Sequence, residues 1–250
     1  MVDCAGMWQR IAHRGAAGTR PELTAVGFER AIEIGVDMIE LDVQLTRDGR
    51  LVVLHDLVLG RTVRGGGSVR DFDLAELQKL DAGSWFAPEY SDARVPSLDE
   101  VMEQTRGRVA LNVEIKSPSG DWEATAQALL LAVDARGGGA DSILVSSFDM
   151  GALRAVRASS ATARLAVLWH TSDDLEEAFA HAAALGAEAI HPHHALVDGA
   201  LIAAAHGRRL AVNTWTVNEP QRMRQLVELG IDGIVSDFPE RFAEVARGSS

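Results

Sequence analysis

The sequence predicts one domain folded as a (β/α)8 TIM barrel, with a small inserted cap segment after its second strand. Three observations carry that expectation. The second half alternates strand-sized apolar runs with helix-sized amphipathic segments. The first half adds four more strand-sized runs. Two of those four are joined too closely to lie parallel. The 250 residues are enough for one such barrel or for two smaller domains.

The elements follow in order. "RIAH" ends at His13 as the first strand, and Pro21 to Ile34 reads as the first helix, ended by Gly35. "MIELD" and "LVVLHD" come next, and "ALNVEIK" follows later. In the second half, "SILVSSF" precedes "MGALRAVRAS", "RLAVLWH" precedes "DDLEEAFAHAAAL", and "EAIHPHH" precedes "DGALIAAAH". "LAVNTWTV" then precedes "EPQRMRQLVEL", and "DGIVSDF" precedes "PERFAEVAR". β-branched residues favour the strands, and Ala, Leu, Glu and Arg favour the helices. Every run counted gives nine strands, one too many. "QLT" and "LVV" are separated only by about Arg47–Arg50, whereas a parallel crossover needs roughly a dozen residues. Asp48-Gly49 is a hairpin-turn signal, so "LVVLHD" reads as the antiparallel return of a hairpin. Eight parallel strands remain. Leu57 to Pro96 is a long interruption before a helix at Ser97 and reads as a lid or binding segment.

Composition narrows the function. The chain is 47% hydrophobic and 24% charged, with a net charge of −12. A global basic field for nucleic acid or an anionic membrane is excluded, and an anionic substrate requires local cations or a metal. Cys4 is the single cysteine, so no intramolecular disulfide forms. The start "MVDCAGMWQR" lacks a signal-peptide apolar segment, and no run reaches transmembrane length. The expectation is a cytoplasmic protein without stable membrane insertion.

Chemistry collects where barrel active sites lie, at the C-terminal ends of the strands. His13 and Arg14 end the first strand, Glu40 and Asp42 the second, and Glu114 and Lys116 end "NVEIK"; the hairpin returns His55. Side chains two apart share a strand face, so each pair can point into the mouth. Converging carboxylates repel. Each could pair with a nearby Arg or Lys. Together, beside two histidines, Glu40, Asp42 and Glu114 point instead to one hard divalent cation, Mg²⁺ or Ca²⁺. His13 and His55 suit general acid–base work near neutral pH, with Arg14 offsetting phosphate charge. Lys116 either contacts phosphate or balances Glu114.

At these residues the sequence resembles the glycerophosphodiester phosphodiesterase family. The resemblance covers nearly the whole chain: "AHRGAAG", "IELDVQLTRDGRLVVLHD", "DLAELQKLDAGSWF", "VPSLDEVM", "NVEIK" and "NTWTVNE". It implies a metal-dependent barrel enzyme that cleaves a small glycerophosphodiester to sn-glycerol 3-phosphate and an alcohol. Carried over, His13 and His55 are the acid–base pair, Glu40, Asp42 and Glu114 the metal ligands, and Arg14 and Lys116 phosphate contacts. The resemblance further implies attack by the neighbouring glycerol hydroxyl and a cyclic phosphate that water opens. Residues Leu57 to Pro96 correspond to the substrate-capping region. One departure stands out: Pro21-Glu22-Leu23-Thr24 replaces the usual Pro-Glu-Asn-Thr, and leucine cannot supply an amide's hydrogen bonds. Two rival readings are a lysophospholipase D-like enzyme using the same site and a catalytically weak barrel that senses phosphodiesters.

Other features carry less. His191 to His194, "HPHH", lacks further zinc ligands at suitable spacing and reads as solvated or loop-packing histidines. Trp215 either walls the mouth as an apolar substrate contact or packs in the core. Gly65-Gly66-Gly67 lacks the strand–loop–helix context of a phosphate loop. Trp85 and Phe86 either line the inserted segment or pack it onto the barrel. Asp237 reads as a cap for a helix beginning at Pro239.

Overall fold

The Val-, Ile- and Leu-rich runs become strands buried on both faces, as parallel barrel staves require. In a computed structural model, which describes residues 8–116, 120–135, 142–170 and 174–246, they are β1 (Gln9–His13), β2 (Met38–Leu45), β3 (Leu51–Val53), β4 (Ala110–Ile115), β5 (Ile143–Ser147), β6 (Arg164–Trp169), β7 (Ala189–Pro192), β8 (Ala211–Thr214) and β9 (Gly233–Ser236). Parallel pairing runs β1-β9-β8-β7-β6-β5-β4-β2 and closes through β1–β2. The fold is therefore an eight-stranded parallel barrel with helices between its strands. β3 lies outside the ring and pairs antiparallel with β2, Val43 opposite Val53, with Gly49 at φ 71° in the connecting turn. Cys4 and the rest of the opening seven residues lie outside the described residues.

The helices are α1 (Ala25–Ile34), α2 (Leu74–Leu77), α3 (Leu98–Thr105), α4 (Trp122–Asp134), α5 (Met150–Ser159), α6 (Leu175–Leu185), α7 (Gly199–His206), α8 (Pro220–Glu228) and α9 (Phe242–Ala246). The first helix starts four residues later than expected, because Thr24 caps it: its Oγ1 accepts from Gly27 N at 3.3 Å. Pro21–Thr24 forms a turn instead. Leu23 sits there at φ 54°, a left-handed conformation that Asn tolerates better than Leu. Its side chain is buried in the main core, so packing offsets the conformational cost. The amide's absence thus leaves an apolar anchor under the turn.

Inward-facing side chains change character along the barrel strands. Ile11, Met38, Leu144, Ala166, Ala189 and Val235 form an apolar floor. One strand period further along come His13, Glu40, Ser146, Leu168 and His191, all facing a cavity at the C-terminal end. The two-residue periodicity therefore lifts polar groups directly above a dry floor. The segment between Leu57 and Pro96 has its own small core, in which Leu59, Val63, Val69, Leu74, Leu77 and Val95 pack against Val52 and Leu54 of the hairpin. Trp85, Phe86 and Tyr90 stack edge-on within it, at centroid distances of 5.6 and 5.8 Å, and do not line the cavity. No helix among the described residues is long and apolar enough to cross a membrane.

Candidate active site

The HRG turn after β1 brings the first site residues into place. Arg14 (φ 53°) and Gly15 (φ 84°) are both left-handed. A Cβ on Gly15 would lie 2.8 Å from the Gly27 backbone carbon, so this turn presses against α1 in a way only glycine allows. The Arg14 backbone N donates to the Glu40 carbonyl at 2.9 Å, continuing the β1–β2 ladder one step and aiming His13 inward. Register does the rest. His13 lies beside Glu40, and Asp42 beside Glu114.

These residues meet in one cavity of about 120 Å³, lined by His13, Arg14, Glu40, His55, Glu114 and Lys116, with Phe148, His191 and Trp215 as walls. Asp42 lies beneath, 1% exposed. One ligating oxygen from each of Glu40, Asp42 and Glu114 falls within 4.8 Å of the others. Arg14 Nε approaches Asp42 at 3.4 Å and Lys116 Nζ at 3.2 Å; Lys116 also pairs with Glu114. Two cations therefore face three buried carboxylates, and Arg14 is shared with Glu22 as well, so negative charge is left over. Burial, then Asp42 and Glu114, push the Glu40 carboxyl well above the usual range. Burial and Asp42 push Glu114 up to about 7 against the pull of Lys116. Burial acts on Asp42 too, but Lys116 and Arg14 outweigh it and hold that carboxyl low. Among the described residues neither Asp42 oxygen accepts a well-aligned hydrogen bond; Arg14 and Lys116 approach it as ion pairs only. Three oxygen donors that repel one another when ionised, and carboxylate oxygens lacking aligned hydrogen bonds, fit a hard divalent cation.

Each histidine has a carboxylate behind it. His13 Nδ1 lies 2.6 Å from Asp237 Oδ1, and His55 Nδ1 lies 2.8 Å from Asp56 Oδ1. An ionised carboxylate only accepts, so Nδ1 carries the proton in both rings and Nε2 is left for the cavity. His13 Nε2 lies 3.8 Å from Glu40 Oε2. Burial, partly offset by Asp42, holds His55 below the ordinary imidazole range.

Asp237 corrects the sequence reading. Phe238, not Asp237, precedes the 3-10 turn Pro239–Arg241, and no side chain caps that turn. Asp237 instead turns to His13, steadied by Asn218 Nδ2 at 2.7 Å. Burial would raise its carboxyl, but the His13 hydrogen bond overcomes this and lowers it. Its position at a strand end on the catalytic rim, the criterion that picked Glu40, was the available signal.

His191 also departs from its expectation of a solvated or loop-packing residue. It is 1% exposed, and its Nε2 accepts from Asn213 Nδ2 at 3.0 Å. The ring is neutral: burial lowers its pKa to about 3. The unfolded chain therefore takes up a proton near the ordinary value of 6.5 that the folded chain refuses. Stability contributed by this group is full above that value and falls as pH drops toward 3, by about 1.4 kcal/mol per pH unit. In His191→Gln the denaturation midpoint should fall less between about pH 6.5 and 5 than in the parent; equal slopes would show that His191 is not the group responsible. His193 and His194 stack on each other at 4.6 Å, and His193 meets Trp215 edge-on. Trp215 donates from Nε1 to the His191 carbonyl at 2.8 Å and packs edge-on against Phe148, which makes it a cavity wall.

A parallel barrel with two carboxylate-backed histidines over an oxygen-ligand cluster has the layout of a barrel hydrolase. Comparison with known proteins narrows that class. The model of the glycerophosphoryl diester phosphodiesterase family matches residues 13–241. A glycerophosphodiester phosphodiesterase of Caldanaerobacter subterraneus subsp. tengcongensis is 35% identical, covering 95% of this chain and 97% of its own. Another from Bacillus altitudinis is 34% identical, covering 96% and 98%. A phosphodiesterase of Oleispira antarctica, solved with its product sn-glycerol-3-phosphate, superposes with a TM-score of 0.89 at 30% identity, covering 95% and 96%. The chain belongs to the glycerophosphoryl diester phosphodiesterase family of enzymes.

Proposed function

We propose that the protein hydrolyses glycerophosphodiesters to sn-glycerol 3-phosphate and an alcohol, with one divalent cation, Mg²⁺ or Ca²⁺, held by Glu40, Asp42 and Glu114. The observation that carries this reading is the meeting of His13 and His55 with that carboxylate cluster in one small cavity. The cavity falls below the roughly 300–1,000 Å³ of drug-sized sites, which suits the glycerol phosphate half common to all such diesters. A wider groove of about 570 Å³ continues from it past His55 and Lys116, leaving room for the variable alcohol.

The bound cation would supply a Lewis acid that offsets phosphate charge. The chain's own groups do the rest. Arg14 and Lys116 add positive charge beside the phosphate, and Trp215 and Phe148 wall the glycerol. One histidine Nε2 takes the proton of the glycerol 2-hydroxyl as its oxygen bonds to phosphorus. The other Nε2 gives a proton to the alcohol oxygen as its P–O bond breaks. The two then exchange roles: the second removes a proton from water, the water oxygen bonds to phosphorus, and the first returns its proton to the 2-oxygen as the ring opens. Asp237 and Asp56 keep each ring oriented and steady its imidazolium form.

The groove includes the exposed side chains of Leu57, Val58 and Phe148, which favours lysophospholipids as a second substrate class. The test is turnover of glycerophosphocholine, -ethanolamine, -glycerol, -inositol and a lysophospholipid with each metal. Release of sn-glycerol 3-phosphate from water-soluble diesters is expected. Binding of diesters without release from any of them would instead identify a sensor.

A further inference from the structure

We propose that Arg61, in the inserted segment and outside the cavity lining, is a positioning residue that holds His55 in its working orientation. The inference rests on the acid–base role proposed above for His55. Its basis is a guanidinium spread across two carboxylates that each lead back to the site. One edge of Arg61 meets Asp56: Nε donates to Oδ2 at 2.6 Å and Nη2 to Oδ1 at 3.0 Å. The other meets Glu22: Nη2 donates to Oε1 at 2.7 Å and Nη1 to Oε2 at 3.1 Å. Asp56 Oδ1 accepts from His55 Nδ1, and Glu22 Oε1 accepts from Arg14 Nη1 at 3.0 Å. The chain of contacts is thus His55, Asp56, Arg61, Glu22, Arg14.

This chain joins parts of the molecule that the sheet does not. β3 ends at Val53, so His55 lies beyond the ladder, on the returning arm of the hairpin. Gln44 steadies the backbone there, donating to the carbonyls of Leu54 and Asp56 at 2.7 and 2.9 Å. The ring itself is oriented by Asp56, and Asp56 is oriented by Arg61. Glu22 belongs to the turn after β1, near Arg14. One side chain of the insert therefore ties the histidine of the hairpin to the arginine of the turn after β1. Surface ion pairs usually contribute little, because long side chains lose freedom to form them. A planar fork that engages two carboxylates bidentately is the exception, and lysine cannot reproduce it.

The test compares Arg61→Ala, Arg61→Lys, Asp56→Ala, the double variant and His55→Ala as the full chain with the same diester. Arg61→Ala is expected to lose about 10- to 100-fold in kcat, the usual effect of removing a group behind a site ligand, with KM little changed. Arg61→Lys should recover only part of the loss. Free guanidinium, well below denaturing concentration, should restore turnover of Arg61→Ala, whereas equal sodium should not. The double variant should be no slower than Asp56→Ala alone. Unchanged kcat in Arg61→Ala, or a loss that follows a lowered Tm and resists guanidinium, would overturn the proposal. If Arg61→Ala does not fold, the same criteria apply to Arg61→Lys, where unchanged kcat overturns it. Full activity in His55→Ala would instead remove the acid–base reading on which the proposal stands.

Discussion

Replacing either His13 or His55 by alanine should lower kcat by about 100- to 10,000-fold, the range that general acid–base catalysis contributes. The fold should survive. Both side chains are partly exposed, at 18% and 32%, and neither belongs to an apolar cluster, so no core cavity opens. On the proposed mechanism the two losses should be similar, because each ring would work in both halves of the reaction. They should also be non-additive: with one Nε2 gone, the other has no partner to complete the proton cycle. Asp237→Asn should resemble a weaker His13→Ala. The amide can offer Nδ2 as well as an oxygen to Nδ1, so the ring can settle in the tautomer that places its proton at Nε2. Circular dichroism and a thermal melt would separate loss of fold from loss of turnover. Full activity in either alanine variant would end the two-histidine mechanism.

Much of this arrangement was legible because it is periodic or local. The βα rhythm gave the barrel, and the short Asp48-Gly49 connection separated the hairpin from the staves. Glu40 and Asp42 stood out because carboxylates in a Val- and Leu-rich strand are costly without compensation. What escaped was set by long-range contact. Asp237 meets His13 across 224 positions, and beside Pro239 it looked like a helix cap. Arg61 reaches Glu22 across 39 positions, and the sequence leaves that bond unmarked. His191 sat in a polar-looking "HPHH" run, yet strand period turns its ring into the barrel while His193 and His194 remain on the rim. Helix α1 began late for a local reason that propensity obscures: Thr24 is a better cap than an internal residue. Leu23 shows the opposite conflict, a buried apolar residue held in a left-handed turn.

The second large effect expected is that of the cation, read through stability as well as rate. On the proposed reading, excess chelator should stop turnover and added Mg²⁺ or Ca²⁺ should restore it. Ligand binding to the folded state alone adds RT ln(1 + [L]/Kd), about 2.7 kcal/mol at one hundred times Kd. For a chain of this size that is a rise in Tm of roughly 5–10 °C. Glu40→Gln separates this from a nonspecific salt effect by its sign. In the metal-free protein Glu40 is pushed toward its neutral form by burial, Asp42 and Glu114, so a glutamine of the same shape keeps that neutral state and costs little. Its metal-free Tm should equal or exceed that of the parent. With cation present the order should reverse, because glutamine carries no charge to offset and the parent gains what the variant cannot. A general screening effect would shift both proteins alike. Parallel shifts, or turnover indifferent to chelator, would show that Arg14 and Lys116 already compensate the three carboxylates and that no cation is required.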